Sequence, residues 1–449
     1  MFDRLGDDRG SVDGRALSVQ ETWDNIDRYV VISADTHGGA DLREYKQYLP
    51  SRWHDEFDAW ADAYVSPWDD FVHATASRNW DSDLRLQELD DDGVAAEVLI
   101  ANTIPPFFPT SALLVVGLPK TPDEYEHRWA GLQAHNRWQA DFVSRAPKRR
   151  RALLQVLPNR VEDTVAEIRW AKETNAFGGL LLNQVPAGND VEPFFHSRYE
   201  PIWQACAELD FPVVQHNGTA PEMPMDQPAS ITLALLKNFA SCGDMLVDMI
   251  FAGVFERYPE LKLVATEAGV ALLFAAQAID SYTAAMKADA PNRTMGLFGG
   301  PHVDQLSLPP SGYVKRQVYF ACSAHTATPE IYQDMRDEIG VDHLMWGSDY
   351  PHEEGTAPQS HLAYKWLFAP VPEADVRKIL AGNAAEVYGF DLDALVPIAK
   401  RVGPRVADVH TPLTAADVAA TPNPIGEFVE RPFAGGALLD RGRPATSSF

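Results

Sequence analysis

Cysteine is scarce in this chain: Cys206, Cys242 and Cys322 are the only three among 449 residues. None stands at metal-ligand spacing, so a disulfide scaffold and a thiolate metal knuckle are both excluded, and the apolar surroundings predict buried free thiols. Basic charge is scarce as well. Lys and Arg total 38 against 64 Asp and Glu, a net charge of −26. With no basic stripe to displace phosphate counterions, a nucleic-acid partner is not expected. The one basic run, Lys148-Arg149-Arg150-Arg151, is expected to form a solvated corner between a helix and a strand. Long apolar runs are missing too. The longest, Val270 to Ile279, covers about ten residues, half of what a bilayer crossing needs. The opening Met1 to Asp7 lacks the apolar core of a signal peptide. A soluble cytoplasmic protein without a membrane partner is expected.

What the chain does have is a repeating alternation. Eight short runs rich in Val, Ile, Leu or Ala read as strands near 29–34, 94–100, 151–157, 178–182, 211–215, 261–266, 317–322 and 343–348. Amphipathic helical patterns lie between most of them, at 163–172, 201–209, 243–255 and 373–387. Strands alternating with helices predict a parallel sheet, and eight such units predict a closed (β/α)8 TIM barrel, an α/β fold. No glycine fingerprint follows the first strand, so a dinucleotide-binding fold is disfavoured. No internal repeat is present. The expected organisation is an N-terminal extension over 1–28, a barrel over 29–395 and a Pro/Gly-rich tail or arm over 396–449. Segments 41–86 and 102–127 are long loops rich in aromatics, expected at the barrel mouth. As lids they would give the substrate pocket an aromatic lining. Most of these rings are expected instead to pack the loops onto the barrel.

Five metal-competent side chains close strand patterns. Tyr29-Val30-Val31-Ile32 leads into Asp35 and His37, which share one face of a strand because i and i+2 point the same way. His216 ends the fifth run, Glu267 the sixth and Asp349 the eighth. A lone residue of this kind is an ordinary turn or cap. Five together at the mouth of one barrel read as a site for a divalent metal, with imidazole and carboxylate donors suited to Zn²⁺ first, or to Mn²⁺ or Fe²⁺. His325, His352 and Asn183 stand near the same mouth as candidates to touch substrate. Asn383, in the last helix pattern, is expected to tie that helix to the barrel.

The segments Ser33-Ala34-Asp35-Thr36-His37, Phe255-Glu256-Arg257-Tyr258-Pro259-Glu260-Leu261-Lys262, Gly347-Ser348-Asp349-Tyr350-Pro351-His352 and Ile379-Leu380-Ala381-Gly382-Asn383-Ala384-Ala385, with the His216 strand, resemble the amidohydrolase superfamily. The resemblance is to its amidohydrolase-related branch, which includes the aminocarboxymuconate-semialdehyde decarboxylase-like enzymes, and it covers about residues 29 to 390. It implies one divalent metal in a distorted barrel, a homodimer, and Asp35, His37, His216 and Asp349 as ligands. Two departures stand out. The first strand carries Asp-x-His in place of His-x-His. The sixth strand ends in Glu267 where the decarboxylases carry a catalytic His, so a carboxylate replaces an imidazole that titrates near neutrality. Glu267 is open to three roles: ligand, general base, or support for a ligating His.

The leading reading is therefore hydrolysis. A metal-activated water, deprotonated by Asp349 or Glu267, would attack a carbonyl-type carbon of a small cyclic or aromatic substrate. The alternative is metal-dependent non-oxidative decarboxylation of an aromatic or unsaturated carboxylic acid, with Asp349 or His325 as the acid. A non-catalytic barrel scaffold is the third reading, and an absence of bound metal would single it out.

Overall fold

The computed structural model describes residues 22–65, 76–109, 118–182, 191–216, 229–267, 279–287, 303–323, 328–352 and 355–420. Eight parallel strands run in the order β1 Ile32–Gly38, β2 Ala96–Ala101, β3 Arg150–Gln155, β4 Phe177–Leu181, β5 Val213–His216, β6 Leu263–Thr266, β7 Val318–Ser323 and β8 Leu344–Gly347, each paired with its sequence neighbour. The seam between β8 and β1 is closed just past the end of β8. Asp349 N donates to Asp35 O at 2.9 Å and His37 N to Tyr350 O at 2.6 Å, and Thr36 forms a parallel bridge with Tyr350. This is the expected TIM barrel.

Strand alternation divides the core in two. Ile32, Ala34, Val98, Ile100, Leu153, Leu181, Val214, Val264, Ala321 and Met345 meet inside the barrel. Their neighbours Val31, Leu99, Leu154, Leu180, Val213, Leu263, Phe320 and Trp346 face the surrounding helices, as a period of two dictates. Helix starts follow local chemistry. Pro122–Ser144 opens with a Thr121 cap and Pro at its first position, and Pro329–Ile339 does the same with Thr328, using a missing N–H where none is needed. Near the chain's end, Glu373–Arg377, Lys378–Gly382 and Asn383–Tyr388 form one continuous helical stretch with a π-turn at its middle. Asn383 Nδ2 donates to Val341 O at 2.8 Å and Leu344 O at 2.6 Å, tying this stretch to β8. Ala384, Ala385, Val387 and Tyr388 join the interior cluster and stop the barrel at the end opposite the mouth.

Three expectations need correction. The first strand begins at Ile32, not at 29, because Tyr29 N donates to Pro404 O at 2.9 Å and its ring hydroxyl meets His410 Nε2 at 2.7 Å. The segment after Gly403 is thus irregular only in part: Val406–Val409 and Ala415–Ala420 are helical, and Val409 is buried. The basic run is not a solvated corner. Arg150 is fully buried, with Nε 2.9 Å from Glu97 Oε1, and Arg149 reaches Asp90 at 2.9 Å and the carbonyls of Val94 and Ala95. Arg85 closes on the same Glu97 at 2.8 Å. Burial pushes the Glu97 carboxyl up, but Arg85 and Arg150 outweigh it and hold the group below its ordinary range.

The two segments expected as long loops carry helices of their own, at Leu42–Tyr48, His54–Ala63 and Ser82–Asp91 in the first and from Pro122 in the second, and their described aromatics pack the segments on each other. Trp53, Phe57 and Trp60 surround Phe107 with centroids 6.0 to 6.4 Å away, and the Trp53 ring lies 4.4 Å from His127. Tyr45 is buried, its hydroxyl bonded to Thr103 Oγ1 at 2.7 Å and His135 Nδ1 at 2.6 Å. Residues 66–75 and 110–117 lie outside the described residues. Cys206 and Cys322 are buried free thiols. No described helix is long and apolar enough to cross a membrane.

Candidate metal centre

Two strands, β1 and β5, and the turns after β6 and β8 deliver their side chains to one place. Asp35 and His37 stand two apart on β1, and His37 Nε2 lies 3.3 Å from Asp35 Oδ1. From the last residue of β5, His216 Nε2 comes within 3.6 Å of the same Asp35 oxygen. Asp349, two residues past β8, places Oδ1 3.1 Å from His37 Nε2. Asp35, His37 and His216 each offer a donor atom within 4.8 Å of the others, as do His37, Asp349 and His352. His37 belongs to both groups. Glu267, just past β6, sets Oε2 3.6 Å from His216 Nε2. His325 and Asn183 lie outside the described residues.

These distances suit a shared cation. Two donors about 2.1 Å from one ion, set at tetrahedral or octahedral angles, stand roughly 3.0–3.5 Å apart. Asp35 Oδ1 and His37 Nε2 are moreover buried with no hydrogen-bond partner among the described residues, a costly state unless a ligand meets them. The other Asp35 oxygen is occupied: Ser323 Oγ donates to Oδ2 at 2.5 Å, which turns Oδ1 toward the centre. The residues present therefore fit a divalent metal.

Electrostatics keep the carboxylates ionised. Burial pushes Asp35 up, yet the imidazoles of His216 and His37 outweigh it and hold the carboxyl well below the usual range. For Asp349 burial is again the largest influence and again loses, here to His352 and His37.

The backbone is shaped to this end. Glu267 has φ of +68° and Asp349 +60°, a left-handed conformation that costs a residue with a Cβ about 1–2 kcal/mol. Such cost concentrates at working sites. Gly347 is equally constrained, since a Cβ there would lie 2.5 Å from Asp35 Cβ. Only glycine lets β8 pass that close to the strand that carries Asp35 and His37.

Supporting residues escaped the sequence reading. Arg85 Nη1 donates to His37 O at 2.7 Å and its guanidinium sits 4.6 Å from the Tyr350 ring, so one buried cation braces both sides of the seam. Asn102, just past β2, meets His352 Nε2 at 3.0 Å. A polar residue two positions beyond the interior Ile100 was the available signal for Asn102. Nothing local marks Arg85.

The amidohydrolase family model matches residues 61–390. The chain belongs to the amidohydrolase family. Among curated relatives, this amidohydrolase is 23% identical over 316 residues to gamma-resorcylate decarboxylase of Polaromonas sp. (strain JS666 / ATCC BAA-500), covering 68% of this chain and 86% of that protein. It is 24% identical over 324 residues to 2-amino-3-carboxymuconate-6-semialdehyde decarboxylase of Dictyostelium discoideum, covering 72% and 80%. In fold it is similar to 5-carboxyvanillate decarboxylase from Novosphingobium aromaticivorans DSM 12444, solved with manganese and 4-hydroxy-3-methoxy-5-nitrobenzoic acid. There the TM-score is 0.62 at 19% identity, over 81% of this chain and 97% of that one. These relatives are carboxy-lyases. The two curated relatives match the decarboxylase alternative better than the hydrolase reading.

Proposed function

We propose that this amidohydrolase is a metal-dependent, non-oxidative decarboxylase of a small aromatic or unsaturated carboxylic acid. The observation that carries the reading is the Asp349–His352 pair, with His352 Nδ1 2.9 Å from Asp349 Oδ1, set directly against the Asp35–His37–His216 group. At that distance a proton can pass between the imidazole and the carboxylate. In this reading Asp35, His37, His216 and Asp349 hold the metal. A divalent ion supplies Lewis-acid anchoring for the substrate carboxylate and an adjacent hydroxyl. The carbon–carbon bond to the carboxylate breaks, its electron pair stays on the ring carbon, and CO2 leaves. That carbon then takes the proton shared by Asp349 and His352. Both curated decarboxylase relatives support this assignment.

The metal we infer is Mn²⁺ before Zn²⁺. Three carboxylates (Asp35, Asp349 and Glu267) rim the centre, oxygen donors suit manganese, and the solved relative holds that ion. A homodimer remains the proposed assembly, tested by sedimentation.

Hydrolysis stands as the second reading because Glu267, strained into the mouth, is placed to take a proton from water. One experiment separates the two. Manganese-loaded protein is offered hydroxybenzoic acids in D2O, and in parallel cyclic amides and lactones. Release of CO2 with one deuteron on the product carbon is the expected result. Ring opening of amides or lactones, with no CO2 from any acid, would overturn the proposal.

A further inference from the structure

The proton pair is held from behind by two buried amides. Asn79 is 1% exposed and Asn102 4%, and their hydrogen bonds fix each other's orientation. Asn79 Nδ2 donates to Ala76 O at 3.0 Å. That carbonyl can only accept, so Asn79 turns its Oδ1 toward Asn102, whose Nδ2 donates to it at 2.6 Å. Asn102 is then left with Oδ1 facing His352 Nε2 at 3.0 Å. An amide oxygen only accepts, so that ring nitrogen carries a hydrogen and donates. The opposite nitrogen, Nδ1, is thereby aimed at Asp349 Oδ1. The ring also stacks on His37, with centroids 4.0 Å apart and planes 21° from parallel. Stacking sets the ring's plane but not which edge faces Asp349. The amide chain sets the edge.

We propose that Asn102, itself held by Asn79, is a positioning residue that fixes the tautomer and edge orientation of His352, so that Nδ1 rather than Nε2 addresses Asp349. Asn102 touches neither the metal ligands' donor atoms nor, in this assignment, the substrate; it acts through His352. The anchor begins in the short helix Ala76–Asn79 and passes through the turn after β2. The correct proton donor geometry at β8 therefore depends on the loop that follows β1.

The proposal rests on the reading that Asp349 and His352 handle the proton, and its test separates the two. Protein labelled with ¹⁵N in its histidines is loaded with Zn²⁺, which is diamagnetic, and the His352 ring signals are assigned by their loss in His352→Gln. The native protein should show a hydrogen on Nε2. Asn102→Leu should lose that signature or divide it between two ring states. Asn79→Ala, which removes the acceptor that orients Asn102, should divide the signature in the same way. In turnover with a decarboxylated acid, Asn102→Leu should lower kcat by about 10–100-fold, the scale typical of losing a residue that orients a working histidine. KM and metal stoichiometry should stay near native. An unchanged His352 signature in Asn102→Leu would overturn the proposal. Were the reaction class wrong, no acid would turn over, and the ring signatures would still decide the role of Asn102.

Discussion

The imidazole of His352 lies flat on that of His37, ring centroids 4.0 Å apart, while each ring nitrogen nearest Asp349 points at the same carboxylate oxygen, at 2.9 and 3.1 Å. One oxygen thus joins the group that would bind metal to the group that would move a proton. The two tasks are coupled through Asp349.

His37 is the member common to both groups, so His37→Ala should abolish bound metal and turnover together. The barrel should still fold, because its interior is carried by Ile32, Ala34 and their partners on the other strands. Metal analysis beside circular dichroism checks this. Full metal occupancy in a folded His37→Ala protein would remove His37 from the ligand set.

Gly347→Ala tests the seam. The added methyl would stand 2.5 Å from Asp35 Cβ, so one strand must shift, at a cost of about 1–3 kcal/mol for overpacking. Metal affinity should fall with stability, since the displaced residue is Asp35. Urea unfolding and metal titration measure the two, and an unperturbed variant would show that the seam yields freely.

Glu97→Gln should destabilise the fold strongly. It leaves the buried guanidinium groups of Arg85 and Arg150 without their shared anion, and breaking a buried pair from one side costs about 3–5 kcal/mol. Replacing Arg85 alone should do less to global stability but should loosen the His37 carbonyl it holds. Equal, small losses from both changes would argue against this division.

Asp92 gives a pH dependence whose sign is fixed. Ser360 donates to it through N at 2.9 Å and Oγ at 2.5 Å, yet burial dominates and pushes the carboxyl up to about 7. A carboxyl raised above its unfolded value of about 4 favours the fold while protonated, and that contribution is lost as pH climbs through the folded value. The stability of Asp92→Asn relative to native should therefore rise between about pH 4 and about pH 7 and level off above. A difference independent of pH would contradict the assignment.

Glu267→Gly should separate stability from activity. Glycine relieves the cost of φ at +68° while adding freedom to the unfolded chain, so stability should hold or rise by up to about 1 kcal/mol. Turnover should fall. A variant of native activity would make Glu267 a bystander in either reaction.

Most of the fold was legible because burial on both faces of a parallel strand writes itself as a short apolar run. Seven strands lie within about two residues of their expected bounds. The eighth case, β1, shows where the pattern misleads: Tyr29, Val30 and Val31 are buried like strand residues, but Tyr29 is paired with chain some 375 positions later. The same non-locality hid the fate of Arg149 and Arg150, whose acidic partners sit on other elements. At the site, Asp35 and His37 were readable from their spacing, and His216, Glu267 and Asp349 from their places after apolar runs. Asn79 and Asn102 were not, since an amide orients another amide only through contacts that no local pattern encodes. Glu267 is legible too, but a carboxylate at that place fits water activation and proton transfer to carbon alike, so its identity alone does not name the reaction.

The seam between β1 and β8 also makes metal binding a gauge of whether the barrel is whole. Asp35 and Asp349 are joined through their backbones at 2.9 Å, yet they stand 314 positions apart and the whole barrel must be synthesised before they can meet. With a metal held as proposed, affinity and closure are reciprocal: whatever free energy the ion gives to the closed seam, an opened seam takes from the affinity. A truncated chain lacking β8 would keep Asp35, His37 and His216 and still be a poor trap for the ion. Retention of metal through purification would then report ring closure as directly as any spectroscopic probe.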